Sequence, residues 1–64
     1  MAETNGNGLT FPRWMDGVDR EIHRRTGGLS HRDLADYAYR DAWADEISER
    51  ECADEVLSEE GFPL

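Results

Sequence analysis

The chain has 64 residues, with 15 acidic and 7 basic side chains and a formal net charge of −8, which fits one small domain whose core supplies only about 3–5 kcal/mol of net stability. Cys52 is the only cysteine, so no internal disulfide staples the fold, as expected of a protein in a reducing compartment. The acidity argues against direct nucleic-acid binding, and no apolar run approaches the roughly 18 residues of a membrane span.

Residues 1–9 are polar and rich in glycine and asparagine and are expected to form a disordered tail, followed by a single helical domain over 10–64. The stretch lacks the basic start and apolar run of a secretory signal, so a cytoplasmic location is expected. Charge is uneven along the chain. Residues 1–29 are balanced, whereas residues 30–64 carry 11 acids against Arg32, Arg40 and Arg50. Every basic residue is arginine, which fits a GC-rich genome or a salt-loving host.

The first predicted helix runs from about Phe11 to Arg25. Thr10 is its N-cap, and Pro12 lies in the first turn, where a missing N–H costs nothing. Phe11, Trp14, Met15, Val18 and Ile22 make one apolar stripe, and Gly27-Gly28 supplies the left-handed stop. The second helix begins at Ser30, whose capping box closes on Asp33, with Leu29 and Leu34 as its hydrophobic staple. Leu34, Tyr37, Ala38 and Ala42 form one stripe, while Tyr39, Ala42, Trp43 and Ile47 form another out of phase with it. That mismatch predicts a break or bend near Asp36 to Tyr39. The third helix opens on the box Ser48-Glu49-Arg50-Glu51 and presents Cys52, Ala53, Val56 and Leu57 inward. Gly61 stops it, and Phe62 is expected to fold back on Leu57 in a Schellman ending. The fold predicted is an all-α, three-helix domain with the second helix split and most of its apolar area supplied by Phe11, Trp14, Tyr37, Tyr39, Trp43 and Phe62.

Trp14, Val18-Asp19, Gly28-Leu29-Ser30, Asp33-Leu34-Ala35-Asp36-Tyr37, Tyr39-Arg40-Asp41-Ala42-Trp43, Ser48 and Gly61-Phe62 resemble a family of short proteins of bacterial and phage genomes. Its pattern reads W-x3-VD, GLS-x2-DLPD, YRDA[FW]-x-DG, S-P-x-E-x-A, GF. The resemblance spans residues 14–62 and carries no established activity. Ala35 stands where the family has proline, Glu46 where it has glycine, and Glu49 where it has the proline after the cap.

No arrangement of residues points to catalysis. Cys52 lies on an inward face among carboxylates, which disfavours a thiolate. No nucleophile–base set, P-loop or dinucleotide fingerprint occurs. Zinc ligands usually come in pairs two to four residues apart. His23 and His31 are separated by a glycine turn and Cys52 stands alone, so neither metal nor cofactor is expected. The third helix presents Glu and Asp where a DNA-reading helix presents Arg, Lys, Asn or Gln. A non-enzymatic interaction or accessory module is the leading expectation, with a protein partner that a basic surface would suit. Tyr39, Arg40, Asp41, Trp43, Asp45, Glu46, Glu49, Asp54 and Glu55 are its candidate contacts; Ser30, Asp33, Ser48, Glu51 and Gly61 are structural caps. The alternatives are a nucleic-acid-mimicking inhibitor of a basic protein and a structural homodimer.

Overall fold

A computed structural model describes residues 3–62. Its elements are α1 (Phe11–Thr26), a 3₁₀ turn (His31–Asp33), α2 (Tyr39–Ala44) and α3 (Glu49–Glu59). The three-helix, all-α expectation holds, and no strand forms among the described residues beyond one isolated bridge between Thr4 and Thr10.

α1 begins where the Thr10 hydroxyl accepts the Arg13 N–H at 3.4 Å, with Pro12 in the first turn. It ends at Gly27, whose φ of 79° lets its N–H return to the His23 carbonyl at 2.8 Å. Trp14, Met15, Val18 and Ile22 are the buried residues of the stripe.

The predicted second helix is split, as its two stripes require. The Asp33 carboxylate accepts the Ser30 N–H at 2.9 Å, but Leu34 leaves the helical region at φ −111°, ψ 168°, so only a 3₁₀ turn forms. Residues 34–38 then run as a non-helical strap into α2. At its end Ala38, at φ −79° and ψ 63°, makes a tight turn in which the Tyr39 N–H bonds the Tyr37 carbonyl at 2.8 Å, and the rings of Tyr37 and Tyr39 meet edge to face at 5.2 Å. The 3₁₀ turn is tied to α1, because the Asp19 carboxylate accepts the His31 N–H at 2.8 Å and the ring Nδ1–H at 2.7 Å.

α3 starts at Ser48, whose hydroxyl accepts the Glu51 N–H at 3.1 Å. The reciprocal half of this box does not form: the Glu51 carboxylate makes no bond to the Ser48 N–H among the described residues, and Glu51 is exposed instead. At the other end the Schellman pair is complete, with the Gly61 N–H on Ser58 at 3.1 Å and the Phe62 N–H on Leu57 at 2.9 Å. The expected burial of Phe62 does not follow, because Gly61 at φ 85° turns the chain outward and the ring stays 36% exposed.

α1 packs mainly on α3, and α2 lies against α1 through Ala42 and Trp43. Cys52, Ala53, Val56 and Leu57 complete the core, with Phe11, Tyr37 and Tyr39 half-buried at its edge. Both indoles donate to backbone carbonyls of linkers: Trp14 Nε1–H to Ile47 and Trp43 Nε1–H to Leu9, each at 2.9 Å. These bonds let two large rings be buried without an orphaned donor.

The stretch expected to be disordered differs over its described part, residues 3–9. The Asn5 side-chain oxygen accepts the N–H groups of Asn7 and Leu9 at 3.0 and 3.1 Å, while its amide donates to the Trp43 carbonyl at 3.0 Å. A polar composition here serves an asparagine-centred turn that lies over α2.

Candidate interaction surface

The nine residues singled out from the sequence separate into groups of different character. Trp43 is 4% exposed and bonded through its indole, so it anchors the N-terminal loop and is not the exposed aromatic contact that the sequence allowed. Tyr39 is half-buried between the edges of His31 and Tyr37, at 5.4 and 5.2 Å. Its hydroxyl is buried with no hydrogen-bond partner among the described residues, and burial pushes its pKa up to about 12.

Arg40 and Asp41 are exposed neighbours on α2. The Arg40 guanidinium lies over the rings of Phe11 and Trp43, at 5.1 and 5.7 Å from their centroids, within reach of cation–π attraction. Asp45 and Glu46 are exposed on the turn after α2. Glu46 adopts φ 63°, the left-handed conformation for which the resembled family carries glycine at this position.

Glu49 is half-buried where α3 begins beside α1. A Cβ placed on Gly17 would meet its Cγ at 2.7 Å, so the two helices approach closely there. Asp54 is ion-paired with Arg25, which also reaches Glu21 at 3.5 Å. Glu21 pairs with Arg24 at 3.0 Å, and that hydrogen-bonded guanidinium holds its carboxyl below the usual range. Glu21 and Asp54 are therefore balanced by Arg24 and Arg25.

The opposite is true of Glu51, Glu55 and Glu59. All three are exposed and spaced four apart on α3, and every ion pair among the described residues involves α1 instead. Four-residue spacing places them in one row about 6 Å apart. Only Glu55 of the row was singled out as a contact. The repeat of Glu at i, i+4 and i+8 is the signal that finds the others. Burial pushes the Tyr37 hydroxyl up to about 12, reinforced by the neighbouring Glu55 carboxylate.

Cys52 is fully buried, and burial together with Glu55 pushes its thiol up to about 12. It stays protonated at neutral pH and packs as a small apolar side chain. Among the described residues no three His, Cys, Asp or Glu side chains converge as a metal site would require, and no helix is long and apolar enough to cross a membrane.

No family model and no solved structure matches the chain. Over 52 residues, 81% of its length, it is 36% identical to the Gene 87 protein of Mycobacterium phage L5, of which the match covers 96%. It is 35% identical over 52 residues to the Gene 87 protein of Mycobacterium phage D29, covering 81% of this chain and 94% of that protein.

Proposed function

We propose that this chain, which belongs to the family of the Gene 87 proteins of mycobacteriophages, is a non-enzymatic interaction module that holds a basic protein partner against the outer row of α3. The observation that carries this reading is the unbalanced row Glu51, Glu55 and Glu59. Like charges at i, i+4 destabilise a helix by about 0.2–0.5 kcal/mol per pair. Two such pairs in a core this small cost the fold stability, which the attraction of Glu51 to the N-terminal end of the helix dipole offsets at one end of the row only. A partner that places arginine or lysine along the row would recover that cost on binding.

Mimicry of a nucleic acid is the weaker reading. Duplex DNA carries one charge per roughly 1.7 Å of axis, whereas the row offers one per about 6 Å. A row this sparse suits a few matched cations of a protein surface better than a site built for a polyanion.

The test compares wild type with the triple variant Glu51→Gln, Glu55→Gln, Glu59→Gln as tagged baits in host lysate, at low and high salt. The triple variant should unfold at a higher temperature, by about 0.5–1 kcal/mol of stability, and should lose a basic protein that wild type retains at low salt. The same proteins retained by both baits would overturn the reading.

A further inference from the structure

We propose that the face formed by α2 and the N-terminal loop is the contact between two copies of this chain, related by a two-fold axis, with Arg40 of each copy paired to Asp41 of the other. The inference stands apart from the acidic row of α3 and rests on different residues. Arg40, Asp41 and Ala44 are the exposed side chains of α2. Neither Arg40 nor Asp41 has an ion-pair partner among the described residues, and as sequence neighbours they do not face each other on the helix.

The surroundings suit a protein contact. Arg40 already rests against Phe11 and Trp43, 5.1 and 5.7 Å from their ring centroids, so part of its side-chain freedom is given up before it binds. An arginine backed by aromatic rings is the residue type that dominates interface energetics. Beside it opens a groove of about 500 Å³ between α2 and the loop residues Glu3, Thr4, Asn5 and Gly6. Asn5 ties that loop to Trp43, so the groove wall is held in place. Ala44 offers no bulk against an approaching backbone.

Charge selects the occupant. α2 carries one cation and one anion, in a half of the chain that is otherwise strongly acidic. Two copies can meet at this helix with Arg40 and Asp41 paired across the axis, while Glu3, which also lines the groove, gives each copy one further anion beside the pair. A two-fold contact makes each patch meet its own copy, so a cation and an anion side by side complement themselves. A uniformly basic or acidic partner would match only one of the two.

Sedimentation velocity over a dilution series at near-physiological salt tests the pairing. Wild type should dimerise reversibly. Arg40→Asp and Asp41→Arg each set two like-charged pairs across the axis and should weaken the dimer at least about tenfold. Mixing the two variants should restore dimers. The introduced aspartate of one then faces the introduced arginine of the other, and the native Asp41 of the first still pairs with the native Arg40 of the second. Circular dichroism on each variant separates a lost contact from a lost fold, and the mixture is its own control, since an unfolded variant could not rescue its counterpart. A wild type that stays monomeric throughout, single variants that dimerise as wild type does, or folded variants whose mixture stays monomeric would each overturn the proposal.

Discussion

At the scale of single residues, Glu46 shows a local conformation at odds with its side chain. It completes the turn between α2 and α3 at φ 63°. A non-glycine residue there costs about 1–2 kcal/mol, while glycine would lose about 0.5–1 kcal/mol through the extra freedom of its unfolded chain. Glu46→Gly should therefore raise stability by about 0.5–1 kcal/mol, read as a higher urea midpoint at unchanged slope. A lower midpoint would mean that the Glu46 side chain, which approaches Gly6, holds the N-terminal loop more firmly than its backbone strain costs. The resemblance marked this position, because the family has glycine there; nothing in the local composition did. The fates of Tyr39, Arg40 and Trp43 were likewise illegible locally. Whether an aromatic is an anchor or an exposed contact depends on an accepting carbonyl 34 residues away, as the bond from Trp43 to Leu9 shows.

At the scale of elements, the ends were more legible than the middles. Thr10, Gly27, Ser48 and Gly61 all act as their residue types predict, because caps bond within four or five residues. The exception is the Glu51 half of the α3 box. Its failure to form separates two expectations. Ser48→Ala should cost about 1 kcal/mol, whereas Glu51→Ala should change stability by no more than about 0.5 kcal/mol, because the repulsion from Glu55 that it removes is offset by the lost attraction of a first-turn carboxylate to the helix dipole. Thermal melts of the two variants check this, and an equal loss in both would show that the Glu51 carboxylate caps in solution. The split of the second helix was legible as two stripes out of phase. Its cause lies in tertiary contacts: Asp19 holds the 3₁₀ turn from α1, and the Glu60 carboxylate accepts the Ala35 N–H of the strap from beyond α3. Leu34, at φ −111° and ψ 168°, has the extended backbone favoured before a proline, the residue that the resembled pattern carries at position 35.

At the scale of the whole molecule, three titratable groups meet at the buried junction of strap and α3. Cys52, Tyr37 and Tyr39 are each raised to about 12, first by burial, from ordinary values of 9.0 for the thiol and 10.0 for the phenols. Each is neutral when protonated, so as pH rises the unfolded chain gives up these protons first. Fewer protons are then bound to the unfolded state than to the folded one, and stability falls with pH. The contribution is whole below about pH 9 and is lost progressively towards about pH 12. The melting temperature should accordingly decline above about pH 9, with the decline of Cys52→Ala beginning nearer the tyrosine range. A wild-type melting temperature that holds level through this range would show these groups to be solvated.

The sequence by itself determined the class of fold, the ends of α1 and α3, their inward faces and the break in the second helix, because all of these follow from spacing and from bonds between near neighbours. Only the tertiary structure decided which charges and rings are free to act. Asp54 looks no different from Glu55 along the chain, yet Arg25 of α1 neutralises one and leaves the other in an unpaired row. By local pattern Phe62 counts with the core, yet it is 36% exposed, whereas Trp43, which counts both with the core and among the contacts, is 4% exposed. Pairing and burial are set by which element lies opposite, and that is a property of packing across the chain, which local pattern does not carry.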